Sequence, residues 1–188
     1  MPKQTTERTT TMSKKIFVDA GHGGKDPGAL GGEYKESDIA LQIALKIKSD
    51  DPNFEFKYSR TSDTYPTIGE RCRMANTEKA DVFVSIHLNA AANFTAQGIE
   101  TLCYSASGKS YELAKTVQEE LVKVTGAINR GVKIRPDLGV LRGTNMPAIL
   151  VEVGFISNTE ERKKLINERY QDKIAATIVE KLKQFFRG

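Results

Sequence analysis

Short apolar segments alternate with longer amphipathic ones along most of the chain. The apolar segments are KKIFVDA, FKYSR, DVFVSIH, GIETLCY and PAILVEV, at residues 14–20, 56–60, 81–87, 98–104 and 147–153. The first, third and last are almost continuously apolar, which is typical of strands covered on both faces of a sheet. The pattern therefore predicts five β-strands, three of them buried on both sides.

Amphipathic segments between these strands predict helices. Two of them place apolar residues four apart on one face. These residues are Ile39, Ile43 and Ile47 in residues 36–49, and Leu113, Val117 and Leu121 in residues 109–124. Residues 67–79 and 170–186 also have a helical pattern. Alternating strands and helices predict an α/β fold, with a mostly parallel twisted sheet flanked by helices on both faces. In such sheets ligands bind beyond the carboxyl ends of the strands.

Length and composition are those of one globular domain. The chain has 188 residues, of which 39% are hydrophobic and 28% charged.

Residues 1–13 are polar and have little to bury, so we expect a disordered leader before a single domain at 14–188. Met12 offers an alternative start. The leader lacks the apolar core of a signal peptide, and no later run is long enough to span a membrane. We expect synthesis in the cytoplasm and no membrane insertion.

Charge and cysteine content narrow the function little. Lysine and arginine number 28 against 24 acidic residues, a net charge of +4 that favours anionic partners without identifying one. Cys72 and Cys103 lie far apart, in a spacing that matches neither a metal-binding half-site nor a disulfide framework. We expect both to be buried free thiols.

The two histidines of the chain each follow an apolar strand. His22 comes after IFVDAG and His87 after VFVSI, so neighbouring parallel strands would bring both to the same edge of the sheet. Three glycines surround His22 and allow the backbone to bend sharply there. The segment GHGGKDPG does not match a phosphate-binding loop, because it lacks the GxxxxGK[ST] spacing and has Asp26 in place of the third glycine of GxGxxG.

Carboxylates supply the remaining candidate chemistry. Glu36 begins a predicted helix. Its carboxylate either interacts with the helix dipole, which would stabilise the helix by less than ~1 kcal/mol, or is a third metal ligand. Two imidazoles and one carboxylate would leave tetrahedral zinc a position for water. Asp19 and Asp26 are rival ligands. Glu152 interrupts the run AILVEVGF, where an unpaired carboxylate is costly. A salt bridge at the sheet edge would explain it, but we favour a catalytic carboxylate.

Several long motifs follow one another from about residue 15 to the end. They are VDAGHGGKDPGA, SRTSD, ERCRMAN, ADVFVSIHLNAA, QGIETLCY, NRGVK and VLRGTNMPAILVEVGFISN. Together they resemble the zinc-dependent N-acetylmuramoyl-L-alanine amidases of the amidase-3 family. The resemblance implies one zinc ion on His22, Glu36 and His87, with Glu152 as the catalytic residue. The sequence does not depart from the family's pattern at these four positions.

The resemblance also implies a substrate. It is the amide of peptidoglycan that joins the lactyl group of N-acetylmuramic acid to L-alanine of the stem peptide. Asn89, two residues after His87, and Arg130, in a predicted NRGVK loop, are candidates to bind the glycan or the peptide carboxylates, although surface solubility explains Arg130 equally well. We expect a monomer that binds peptidoglycan and no nucleic acid.

Regulation and release are further expectations. Some division amidases of the family carry an inserted helix that plugs the zinc site. Here one helix and a short loop account for the stretch from Tyr104 to Gly131, so we expect no plug. Without a signal peptide, the chain resembles enzymes that reach the wall after lysis, such as phage endolysins or mother-cell autolysins. Two alternatives are a non-catalytic protein that binds the wall or a structural zinc, and a zinc peptidase.

Overall fold

A computed structural model describes residues 13–187 of the chain. The predicted leader lies outside the described residues, except for residue 13. The strands are β1 Lys14–Ala20, β2 Leu30–Gly31, β3 Tyr34–Lys35, β4 Phe54–Tyr58, β5 Val82–Asn89, β6 Ile99–Cys103, β7 Asn129–Ile134 and β8 Ala148–Phe155. The helices are α1 Glu36–Lys46, α2 Ile68–Thr77, α3 Gly108–Thr125, α4 Gly139–Gly143, α5 Thr159–Leu165 and α6 Glu168–Phe185. None of these helices has the length and apolar character needed to cross a membrane.

Six strands form one central sheet, in the order β4-β1-β5-β8-β6-β7. The first four are parallel to one another, whereas β6 is antiparallel to β8 and parallel to β7. The carboxyl ends of β1, β5 and β8 therefore lie at the same edge as the amino ends of β6 and β7. We call this edge the site edge.

Helices cover both faces of the sheet, as the sequence predicts. Helices α1, α3 and α6 pack on one face around Val18, Val84 and Val151, which are fully buried. Helices α2 and α4 pack on the other face, where the rings of Phe17 and Phe83 stack with centroids 5.9 Å apart. The expected fold class, a mostly parallel sheet between helical layers, is confirmed.

All five predicted strands are present, with ends within two residues of those expected. The four predicted helices are present too, and the short elements β2, β3, α4 and α5 were not predicted. The prediction that NRGVK is a loop is wrong, because residues 129–134 pair with β6 as the edge strand β7. This strand is polar and half exposed, so it lacks a buried strand's pattern. Cys72 and Cys103 are buried and unpaired, as expected.

A buried ion pair lies beneath the site edge. Asp19, 1% exposed near the end of β1, accepts hydrogen bonds from Arg71 Nη1 and Ser85 Oγ, each at 2.6 Å. Burial alone would raise the pKa of Asp19, but the Arg71 charge and the hydroxyl hydrogen bonds hold that pKa below its ordinary value. The ionised carboxylate therefore stabilises the fold at neutral pH.

We expect Asp19→Asn to lower the free energy of unfolding at pH 7 by about 3–5 kcal/mol, because it leaves the buried Arg71 without its counter-ion. The folded-state pKa of Asp19 is depressed, so its contribution is complete above the unfolded-state pKa of about 3.9 and is lost as the pH falls below that value. Urea unfolding at pH 7, 5 and 3.5 measures the free energy of unfolding of wild type and variant. The difference between the two proteins should be smaller at pH 3.5 than at pH 7.

The matched control is Glu160→Gln, which breaks an exposed pair with Lys163. It should leave the free energy of unfolding almost unchanged, because an ion pair exposed to water contributes little to stability. A difference between wild type and Asp19→Asn that stays constant over this pH range would contradict the account of the buried pair.

Candidate active site at the sheet edge

A tight turn after β1 presents His22. His22 itself has a positive φ of 56°, and Gly23 follows with φ 119°. The backbone groups of Gly23 and Asp26 exchange two hydrogen bonds of 2.8 and 3.0 Å, which close the turn. A Cβ on Gly23 would collide with the carbonyl oxygen of Thr64, so the close approach of these two segments requires glycine there.

Two buried arginines hold this turn from below. Arg60 donates from Nε to the carbonyl of Ala20 at 3.0 Å and from Nη2 to that of Gly21 at 2.8 Å. Arg71 donates from Nη2 to the carbonyl of His22 at 2.7 Å. Three consecutive carbonyls, from the last residue of β1 into the turn, thus gain charged donors. These contacts give a structural reason for the motifs SRTSD and ERCRMAN.

His22, Glu36 and His87 meet at the site edge, each contributed by a different element. Glu36 is the first residue of α1, and His87 lies near the end of β5. Glu36 Oε1 is 3.1 Å from His22 Nε2 and 2.9 Å from His87 Nδ1. One ligand atom from each residue lies within 4.8 Å of the others, so the three residues could hold a metal ion.

Hydrogen bonds fix the orientation of each group. Asp26 Oδ2 is 2.9 Å from His22 Nδ1, which leaves His22 Nε2 facing Glu36. The backbone N–H groups of Ala29 and Leu88 donate to the two oxygens of Glu36 at 2.9 and 3.0 Å. Of the two rival ligands, Asp26 therefore supports His22, in the way that carboxylates orient metal-binding imidazoles. Asp19 instead pairs with Arg71.

His22 and Glu36 shift each other's pKa strongly. Burial alone would lower the pKa of His22, but its hydrogen bonds and proximity to Glu36 and Asp26 raise that pKa to about 9. Burial alone would raise the pKa of Glu36, yet the two histidines hold it far below its ordinary value. The group thus favours an ionised carboxylate with a compensating positive charge, which a divalent cation would also provide.

Glu152 lies on the neighbouring strand, in register with His87 and with Glu100. Its Oε2 atom is buried and has no hydrogen-bond partner in the described part of the chain. No lysine, arginine or histidine of residues 13–187 is within ion-pair distance of it, so the salt bridge considered from the sequence is not formed. Burial raises the pKa of Glu152 to about 7. A carboxyl group with this pKa can accept and donate a proton near neutral pH.

Asn89 and Arg130 lie beside this group and are joined by a residue that the sequence analysis missed. Glu100 accepts from Asn89 Nδ2 at 2.8 Å and from Arg130 Nε at 2.9 Å. Glu100 is the second residue of β6, which is antiparallel to β8, so a search at the carboxyl ends of strands passes over it. The alternating pattern of GIETLCY, with an acidic residue between apolar ones, was the available signal.

An open cleft borders the imidazoles on the α2 and α4 side of the sheet. Its walls are mostly apolar side chains, including Tyr65, Ile68 and Leu138, and its floor includes His22 and His87. Between Tyr104 and Gly131 the chain forms helix α3, a short connection and the start of β7.

Comparison with known proteins identifies relatives of this chain. The chain is 40% identical over 173 residues to the endolysin of Bacillus phage SPP1, covering 87% of this chain but only 63% of the endolysin. It is 29% identical to the germination-specific N-acetylmuramoyl-L-alanine amidase of Bacillus subtilis, over 92% of this chain and 80% of that protein. This chain therefore spans less than two thirds of the phage enzyme.

Solved structures show the same architecture. The crystal structure of an N-acetylmuramoyl-L-alanine amidase from Clostridium difficile 630 matches with a TM-score of 0.90 and 41% identity, over 94% of this chain and 98% of that one. The CwlD amidase of Clostridioides difficile, solved with the GerS lipoprotein, matches with a TM-score of 0.87 and 35% identity, over 93% and 99%. The amidase-3 model, described as N-acetylmuramoyl-L-alanine amidase, matches residues 16–184, and the chain belongs to this family.

Proposed function

We propose that this chain hydrolyses the amide between the lactyl group of N-acetylmuramic acid and L-alanine of the peptidoglycan stem peptide, with Glu152 as the catalytic carboxylate. One observation carries the proposal. The buried, unpartnered oxygen of Glu152 lies on the strand beside His87, at the edge where His22 and Glu36 also converge. A buried carboxylate without a hydrogen-bond partner lowers the stability of a protein. Such groups occur preferentially in active sites, where their chemistry is needed.

The three-residue group suits zinc. Two imidazole nitrogens and one carboxylate oxygen are typical ligands of catalytic zinc, which keeps one position open. Glu36 Oε1 lies 3.1 Å from His22 Nε2 and 2.9 Å from His87 Nδ1, so the three residues together would hold the ion. We therefore propose that His22 binds through Nε2, His87 through Nδ1 and Glu36 through Oε1, with Asp26 orienting the ring of His22.

Each protein group has a defined part in the reaction. Zinc bound there supplies a Lewis acid for the amide carbonyl and lowers the pKa of water toward ~7. Glu152 accepts a proton from the water whose oxygen attacks the carbonyl carbon. It then donates this proton to the alanine nitrogen as the carbon–nitrogen bond breaks. The products are a lactyl carboxylate and a stem peptide with a free L-alanine amine.

The cellular setting is proposed by analogy with relatives. They include a phage endolysin and germination-specific and sporulation-specific amidases. We propose that residues 14–188 are one catalytic domain that acts as a monomer on peptidoglycan, and that it reaches the wall after lysis. The continuous six-stranded sheet supports the single domain, because both helical layers pack on it.

We expect Glu152→Gln to reduce amide hydrolysis by about 10²–10⁴-fold, the range typical of a lost general base. The variant should retain its zinc content and bind peptidoglycan, because Glu152 is not a ligand in this proposal. Release of free amino groups from purified peptidoglycan measures the rate. Glu112→Gln, exposed on α3, is the matched control and should behave as wild type. Near-normal turnover by Glu152→Gln would remove this residue from its catalytic role.

Removing the metal should abolish activity in a reversible manner. We expect a chelator to stop hydrolysis and added zinc to restore it, whereas His22→Ala should bind little zinc and stay inactive after zinc is added. Elemental analysis measures the metal, and mass spectrometry identifies the soluble products. Peptides that begin at L-alanine are expected.

The same products separate the alternative functions. Cleavage between amino acids would instead indicate a zinc peptidase. Sedimentation with the wall, without release of any new amino terminus, would indicate a binding protein.

A further inference from the structure

A row of polar side chains crosses four neighbouring strands at the site edge. His87 on β5, Glu152 on β8 and Glu100 on β6 lie in matching register. Arg130 on β7 extends the row through its ion pair with Glu100. The proposed chemistry uses His87 and Glu152, and it leaves the other two residues without a function.

Three contacts hold the guanidinium of Arg130. Its Nε donates to Glu100 Oε2 at 2.9 Å, its Nη1 donates to the carbonyl of Gln97 at 3.4 Å, and its Cζ lies 4.8 Å from the ring centroid of Phe155. Within residues 13–187 no group accepts a hydrogen bond from Nη2. The side chain is 37% exposed, so this fixed guanidinium offers a free donor to the cleft side.

Glu100 is itself held in place. Its side chain is only 13% exposed, and its Oε1 accepts from Asn89 Nδ2 at 2.8 Å. The other amide atom of Asn89, Oδ1, accepts from the backbone of Ala90 at 2.9 Å. Each of these two amide atoms of Asn89 therefore has one partner within the protein, and the bond from Nδ2 orients Glu100. A surface arginine that served only solubility would not require a shielded carboxylate fixed by an amide.

The ligand of this guanidinium is defined by its chemistry. A fixed guanidinium with free N–H donors pairs best with a carboxylate or a phosphate. In the proposed substrate the free carboxylates belong to the stem peptide. The N-acetylmuramic acid residue has none, because its lactyl carboxyl group forms the scissile amide. A stem peptide that extends from the scissile amide toward β6 and β7 would bring a carboxylate to Arg130.

Distance indicates which carboxylate is in reach. Arg130 lies on β7, two strands from Glu152 and beyond Glu100 on β6, or roughly 10 Å at the spacing of neighbouring strands. An extended peptide advances about 3.3–3.6 Å per residue. The α-carboxylate of the second stem-peptide residue lies about two residues from the attacked carbonyl. It can therefore reach Arg130 across this interval.

We propose that Arg130, oriented by Glu100, binds the α-carboxylate of the second stem-peptide residue. This site makes the enzyme distinguish between two forms of the second residue. One is D-glutamate linked through its γ-carboxyl, which has a free α-carboxylate, and the other is D-isoglutamine, which has a carboxamide in its place. The inference rests on the proposed amidase function and adds a specificity determinant to it. Arg130 contacts the substrate, and Glu100 is a positioning residue.

The test uses two soluble glycan chains that carry synthetic L-alanyl-γ-D-glutamyl-L-lysine stems and differ only in that carboxylate or carboxamide. Wild-type kcat/KM should be about 10-fold to 100-fold higher for the carboxylate, the effect expected for one charged hydrogen-bonded pair. Arg130→Gln should reduce this ratio to within about threefold of unity. Glu100→Gln should reduce it in part, while Arg169→Gln, exposed on α6, should leave it unchanged.

Zinc content and melting temperature of each variant separate a specificity effect from a structural one. Equal wild-type rates on the two substrates, or an unchanged ratio in Arg130→Gln, would overturn the inference and leave the amidase proposal intact. Failure to release stem peptides from either substrate or from whole peptidoglycan would overturn both.

Discussion

The position of His22 depends on how two buried arginines satisfy the backbone that leaves β1. The carbonyls of Ala20, Gly21 and His22 lie where the chain leaves the buried strand β1 and enters a turn. Arg60 and Arg71 supply charged donors, and Asp19 neutralises Arg71 in the interior. A buried guanidinium with a carboxylate partner is stable only when its remaining donors are also satisfied, which here the turn itself achieves.

The order of the secondary structure elements could be read from the sequence because the central strands are almost continuously apolar. Val82–Ile86 and Ala148–Val151 are buried on both faces, so hydrophobic pattern alone locates them. The strand at residues 129–134 could not be found in this way, since an edge strand has one hydrogen-bonding side free and few side chains to bury. Helix α4 is too short to show a period.

The candidate site was predictable to the extent that it follows the rule for parallel sheets. His22, His87 and Glu152 stand at or near the carboxyl ends of β1, β5 and β8, and Glu36 follows from its position at the start of a helix. Glu100 escaped this reasoning because the reversal of β6 brings an amino end to the same edge. Strand direction is set by tertiary pairing, and a single sequence carries little record of it.

The change of strand direction between β8 and β6 divides the sheet into two blocks. One is the parallel block β4, β1, β5 and β8, and the other consists of the two reversed strands β6 and β7. The residues proposed for metal binding and proton transfer come from the parallel block and α1, while Glu100 and Arg130 come from the two reversed strands at the other side. The two blocks still touch, because Glu100 lies directly opposite Glu152 on the neighbouring strand and accepts a hydrogen bond from Asn89 of β5. Residues in contact or in one hydrogen-bond network do not act independently when they are substituted. A substitution of Glu100 therefore changes the surroundings of Glu152 as well as the support of Arg130.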